Sequence, residues 1–287
     1  MTRVPPPRWR RRLIVVAIAC VALAGVVALG FANGWGLGLI HRSARATPYA
    51  VRDSTLRRPY LYFYPARIDS TERPQALIVF LGNDVGFWEP HQQLAERLAA
   101  ARYTVVGVDI VAYLATLPET HPGRETAFAS ETPALIARIR TEMHADSLPI
   151  MLGGHSFGAE LAFWLAANAA PPRLAGVLAM SPRGSGHFVV TPADLANEEP
   201  AGIGAFSTIS SVGRIAPGVR VAVIRGSKDQ FARHDADFET AGGARLSVYR
   251  VPLAAHSLKK LLIAGPIVER AMSWLLAAPN AHAALTR

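Results

Sequence analysis

Two kinds of apolar pattern divide this chain. From Leu13 to Ile40 no side chain is charged, and Leu13 to Ala32 alone supplies about twenty apolar residues, enough to cross a bilayer as a helix. After a polar stretch, the pattern changes to short apolar runs alternating with longer, one-sided ones. Tyr60–Tyr64 is short and aromatic, Ala76–Leu81 is almost unbroken and ends at Gly82, and Thr104–Ile110 is a third such run. Runs like these predict strands buried on both faces. Pro149–Gly153, Leu174–Met180, Val219–Arg225 and Arg245–Val251 continue the series. Between them, Glu89–Ala101 carries Leu94, Leu98 and Ala101 at helical spacing. Thr132-Pro133 predicts a helix start with Leu135, Ile136 and Ile139 on one face, since proline is tolerated in a first turn. Further helices are predicted over Ala159–Ala170 and from about Leu258 to Leu276.

Strands alternating with helices predict an α/β domain: a mostly parallel sheet with helices on both faces, preceded by one transmembrane helix. The expected organisation is a basic N-terminus over 1–12, an anchor over 13–40, a linker over 41–58, the α/β domain over 59–278 and a tail over 279–287. Leu114–Ser130 and Pro182–Pro217 break the alternation, being rich in Pro, Gly and Ser. Both follow predicted strands, and in open α/β sheets the loops beyond the carboxyl ends of strands build the ligand site. They are read as lids over a substrate, with plain surface loops as the alternative.

The charge pattern orients the anchor. Arg8, Arg10, Arg11 and Arg12 immediately precede the apolar run, which by the positive-inside rule keeps that end cytoplasmic and exports everything after it. The expected location is the inner membrane, single-pass, with the domain on the periplasmic side. The alternatives are a cleavable signal, whose apolar core of 7–15 residues this run exceeds, and a lipoprotein cleavage box at Ala17-Ile18-Ala19-Cys20, which lacks the usual Leu and is followed by further apolar sequence. Five arginines in the first twelve residues carry much of the net charge of +9, and no nucleic-acid motif accompanies them. Cys20 is the only cysteine, so an intrachain disulfide and a thiol nucleophile in the domain are both excluded. No His, Cys and carboxylate group has metal-ligand spacing, and neither metal nor cofactor is expected.

The candidate chemistry begins at Gly154-His155-Ser156-Phe157-Gly158, a G-x-S-x-G pentapeptide between a predicted strand and a predicted helix. That context suits a nucleophile elbow, in which Ser156 sits on a strained turn with its hydroxyl exposed. A serine hydroxyl is a poor nucleophile until a base accepts its proton and an acid orients that base. Asp229 follows the strand Val219–Arg225, and His256 follows the strand Arg245–Val251, so Ser156, Asp229 and His256 each lie just past a strand. Asp109, Asp235 and Asp237 are the alternatives for the acid. His155 is expected to pack locally, and His187 and His234, in loops, to be solvated. For the oxyanion hole the residue after the nucleophile, Phe157, gives one amide, and the loop Gly82-Asn83-Asp84-Val85-Gly86 gives Asn83 or a neighbour as the second. A plain turn before the helix at Glu89 is the other reading of that loop.

The chain resembles the α/β hydrolases, and more narrowly the bacterial virulence VirJ/AcvB family. Four passages carry the likeness: Gly82–Trp88, Val105–Asp109 with Tyr113, Gly154–Ala159, and Met180-Ser181-Pro182 with Phe188. Glu160 departs from the family's usual Asp. The resemblance implies an α/β-hydrolase fold with the triad in the order Ser, Asp, His, and an activity on aminoacylated phospholipid esters. The expected function is thus a membrane-anchored serine hydrolase of esterase type, its partners being an ester substrate, a phospholipid head group and the membrane. The alternative is a non-catalytic binding or assembly protein of the cell envelope with the same fold.

Overall fold

The apolar runs form the sheet they predict. In a computed structural model, residues 60–196, 198–262 and 266–277 are described. The expected anchor over 13–40, its basic flank, the linker over 41–58 and the tail over 279–287 lie outside them. Among the described residues no helix is long and apolar enough to cross a membrane.

The main sheet comprises β1 (Leu61–Tyr64), β2 (Leu77–Leu81), β3 (Thr104–Val108), β4 (Ile150–His155), β5 (Leu174–Met180), β8 (Arg220–Gly226) and β9 (Leu246–Val251). A two-stranded ribbon pairs β6 (Ser185–Gly186) with β7 (Phe206–Ser207). The seven strands lie in the order β1-β3-β2-β4-β5-β8-β9, all parallel except β1. Residues Leu77, Val79, Leu152, Val177 and Val221 join the core cluster that holds Phe157, Leu161 and Leu165 of the helix Phe157–Asn168. The alternate positions Ile78, Phe80, Met151, Leu178 and Ile224 are buried too. On that side the helix Ile267–Leu276 packs in, with Leu275 and Met151 meeting over Gly176. Covering both faces is why these strands read as unbroken apolar runs. Each fully buried Leu, Val or Phe contributes about 1.5–3 kcal/mol.

The strand order places the site. From β2 the chain moves to β3 on one side, then returns across β2 to β4 on the other. Loops leaving the carboxyl ends of β2 and β4 therefore diverge, opening a crevice between them. Gly82 leaves β2 and Ser156 leaves β4, so both predicted site loops meet there. Because β1 is antiparallel, Leu61 pairs with Val108 at the carboxyl end of β3, and the Asp109 amide donates to the Tyr60 carbonyl (2.8 Å). The described chain thus begins at the same edge of the sheet.

Three elements differ from the sequence reading. The helix expected to open at Thr132-Pro133 starts at Gly123 and runs to Glu142, with Pro133 inside it. An interior proline costs about 3 kcal/mol, but Phe128, Thr132, Ile136 and Ile139 are buried along one face, and the Thr132 hydroxyl bonds that of Tyr113 (3.0 Å). Packing overrides the local break, so much of the segment 114–130 is helical. The stretch 182–217 is also ordered into β6, β7 and the helices Pro192–Leu195 and Thr208–Arg214. Finally, the terminal helix is divided into Leu258–Leu262 and Ile267–Leu276, the second opening after Pro266.

Candidate active site

Ser156 has φ 51° and ψ −119°, a conformation L-residues rarely adopt. Its surroundings enforce it. The Ser156 amide donates to the Met180 carbonyl (2.8 Å), while its own carbonyl accepts from Ala159 (2.9 Å), so strand and helix begin on either side of one residue. A Cβ at Gly158 would collide with the Gly82 and Leu81 carbonyls, and one at Gly154 with the Gly158 backbone. Both glycines of the pentapeptide are required by this close approach.

Three of the predicted residues form one hydrogen-bonded chain. His256 Nε2 lies 2.9 Å from Ser156 Oγ, and His256 Nδ1 lies 3.2 Å from Asp229 Oδ2. Asp229 is buried and also accepts from the Phe231 amide (3.0 Å) and from Arg225 Nη1 (3.3 Å). Burial by itself would raise its pKa, but the hydrogen bond and charge of His256, then Arg225 and the Phe231 amide, hold the carboxyl well below the usual range. The other candidate acids are engaged elsewhere. Asp109 accepts from the Ala112 amide (3.0 Å) and caps the helix Ile110–Leu114. Asp235 pairs with Arg225 and Arg250, and Asp237 is exposed near His234.

The oxyanion donors are placed differently from one another. Phe157 opens its helix, where no preceding turn supplies a carbonyl to its amide. Asn83, the expected second donor, is not available as placed: its amide donates to the Gly86 carbonyl (3.2 Å), and the Gly86 amide returns to the Asn83 carbonyl (2.9 Å). Gly86, at φ +92°, folds this loop back over Gly82 and closes the pair. The neighbouring Asp84 is half-buried, and burial chiefly, with the charge of Asp194, raises its carboxyl pKa against the pull of its own amide, Arg183 and His256.

Two buried networks lie around the chain of three. Behind His256, the Trp88 amide donates to His91 Nδ1 (3.2 Å), which leaves the proton of His91 on Nε2. His91 Nε2 then faces His155 Nδ1 (3.4 Å), and His155 Nε2 faces the His256 carbonyl (3.2 Å). The tautomers follow from one end to the other, so His155 braces the backbone of His256. In front, Arg183 is buried and pairs with both oxygens of Glu160 (2.6 and 2.9 Å) and with Asp194 (2.7 Å). Asp194 accepts from His187 (3.1 Å), whose ring meets that of Phe157 edge-on. His187, expected to be solvated, is buried by this network, and His234 is half-buried against Glu199 (2.7 Å). The one sequence signal was Glu160, a carboxylate in an otherwise apolar helix, one turn after Ser156.

The segments read as lids line an open cavity of about 380 Å³ whose walls include Arg124, Glu125, His187, Phe188, Glu199 and Ile203. Among the described residues no cluster of ligands has the arrangement a metal ion needs.

No family model and no curated protein matches the chain. Solved structures do resemble it. A putative dienelactone hydrolase from Klebsiella pneumoniae has a TM-score of 0.53 at 14% identity, over 76% of this chain and 92% of that one. A soluble variant of monoglyceride lipase from Saccharomyces cerevisiae scores 0.52 at 14% identity, over 75% of this chain and 90% of that one. MenH from S. aureus scores 0.51 at 12% identity, over 75% of this chain and 100% of that one. At such identities the likeness concerns architecture: the chain has the α/β-hydrolase fold.

Proposed function

We propose that this protein is a serine hydrolase acting on carboxylic esters. Ser156 Oγ attacks the ester carbonyl while His256 Nε2 takes its proton. The alcohol then leaves with that proton, and water, activated by the same imidazole, releases the acid from Ser156. Asp229 stays ionised, fixes the tautomer of His256 and stabilises the imidazolium as it forms. The Phe157 amide faces the negative charge that develops on the carbonyl oxygen. The observation that carries this reading is the continuous link from Ser156 Oγ through His256 to Asp229, at 2.9 and 3.2 Å.

A fluorophosphonate probe tests it, because only an activated serine is labelled. Wild type should label and Ser156→Ala should not. Equal labelling would leave a non-catalytic envelope protein that keeps the hydrolase fold.

The narrower reading is an enzyme anchored by residues 13–40, with its domain outside the cytoplasm, cutting aminoacylated phospholipid esters. The uncharged run behind an arginine cluster supports the anchor and orientation. The four VirJ/AcvB-like passages support the substrate. Side-by-side assays on aminoacyl-phosphatidylglycerol and short p-nitrophenyl esters test this; turnover of the short esters alone would remove the lipid substrate.

A further inference from the structure

Large apolar side chains left exposed on a folded domain are ordinarily scattered. Here they gather at one edge. Among the described residues, the exposed large hydrophobic side chains are Val85, Trp88, Val189, Ile203 and Leu253. Val85 and Trp88 follow β2, Val189 and Ile203 lie in the insertion after β5, and Leu253 follows β9. These three strands are parallel, so all five residues lie in segments that leave the carboxyl edge of the sheet, the edge at which Ser156 follows β4.

Two of them are the most prominent. Ile203 is 93% and Leu253 74% exposed. Leu253 occupies a left-handed conformation (φ 61°), and its amide donates to Ser227 Oγ (2.9 Å), which fixes the turn that presents it. Trp88 lies under the ammonium of Lys259, 5.4 Å from its ring centroid, and Lys259 also reaches Glu89 at 3.8 Å. An aromatic ring with a cationic tip beside it suits the boundary between hydrocarbon and head groups.

The path of the chain adds an independent argument. Leu61 opens β1 opposite Val108, so the described chain begins at this same edge. The linker over 41–58 spans at most about 60 Å when fully extended, and beyond it lies the uncharged run 13–40. A bilayer anchor in that run would be tethered to a domain whose first described strand begins at the catalytic edge.

We infer that the carboxyl edge of the sheet docks on the lipid surface through Val85, Trp88, Val189, Ile203 and Leu253, so that Ser156 opens onto the bilayer. The inference rests on the proposed anchor of residues 13–40 and is independent of the ester chemistry. A docked mouth takes esters from the head-group layer without their crossing bulk water. The strained turn at Leu253 and the loop Asn83–Gly86 then form part of the contact.

The experiment uses the full chain with Cys20→Ser, reconstituted into vesicles of phosphatidylcholine and phosphatidylglycerol. An environment-sensitive fluorophore is attached at Ile203→Cys, at Leu253→Cys, or at Ser147→Cys, an exposed position before β4 at the opposite edge. Lipids carrying a nitroxide near the head group should quench the first two positions several-fold more than the third. Leu253→Asn, which suits a left-handed backbone and removes the apolar side chain, should weaken quenching at 203. Equal quenching at all three positions, or none at 203 and 253, overturns the inference; the second result would leave the apolar edge to a protein partner. Resistance of the protein to carbonate extraction, and hydrolysis of a water-soluble ester by the same samples, report separately on the anchor and on catalysis.

Discussion

Arg225 Nη1 lies 3.3 Å from Asp229 Oδ2, and neither side chain is exposed to solvent. The carboxylate that faces His256 is therefore held between two cations when His256 is protonated. Arg225 is itself shared, with Nε on Asp235 Oδ1 at 3.0 Å. This keeps Asp229 ionised, as an acid must be if it is to orient a base without taking its proton.

Asp229→Asn should fold and lose about four orders of magnitude in kcat, because the amide favours the wrong imidazole tautomer. Steady-state kinetics on a soluble ester, with circular dichroism to confirm folding, check this. Near-normal turnover would show that another carboxylate serves His256.

The paired imidazoles behind His256 should make the fold acid-sensitive. Burial, and after it the charge of His155, lowers the pKa of His91 well below its ordinary value; burial, and after it the charge of His256, lowers that of His155 to about 3. The folded state then binds fewer protons than the unfolded one, whose histidines titrate near 6.5. Stability is complete above about pH 6.5 and falls as pH drops towards 3, by up to about 1.4 kcal/mol per pH unit for each group. Urea unfolding at pH 7, 6 and 5 should show this slope, and His155→Phe should reduce it. An unchanged slope in that variant would remove His155 from the effect.

Gly158→Ala should be strongly destabilising, by about 3 kcal/mol or more, since the added methyl meets the backbone carbonyls of Leu81 and Gly82 and no flexible side chain. A melting temperature within a degree or two of wild type would show that the elbow tolerates a wider approach.

Arg183→Met should cost about 3–5 kcal/mol, because it leaves Glu160 and Asp194 buried without their cation. The segment 182–217 should become sensitive to limited proteolysis first, as Arg183 ties it to the helix after Ser156. Adding Glu160→Gln should restore part of the loss; a double variant no more stable than the single one would argue against the pair as the cause.

What the sequence revealed follows from how local each feature is. Strands buried on both faces wrote themselves as apolar runs, and β2, β3, β5 and β8 lie within a residue or two of their expected limits, as does the half-exposed edge strand β9. Ser156, Asp229 and His256 were legible because each stands directly past such a run. Pro133 misled because the helix around it is held by the distant Tyr113 as well as by its own propensity. His187 is buried through Asp194 and Phe157, partners that no spacing rule connects to it. The loop at Asn83 depends on the left-handed Gly86, and glycine in a sequence does not announce the sign of its φ.

The backbone at Ser156 has one more consequence. Its φ and ψ suit glycine, and a serine there stores about 1–3 kcal/mol of strain. Ser156→Gly should therefore melt at a higher temperature than wild type while forfeiting its reactive hydroxyl. At this one position thermal endurance and chemistry pull in opposite directions, so a chain tuned for persistence alone would have no use for the residue it carries.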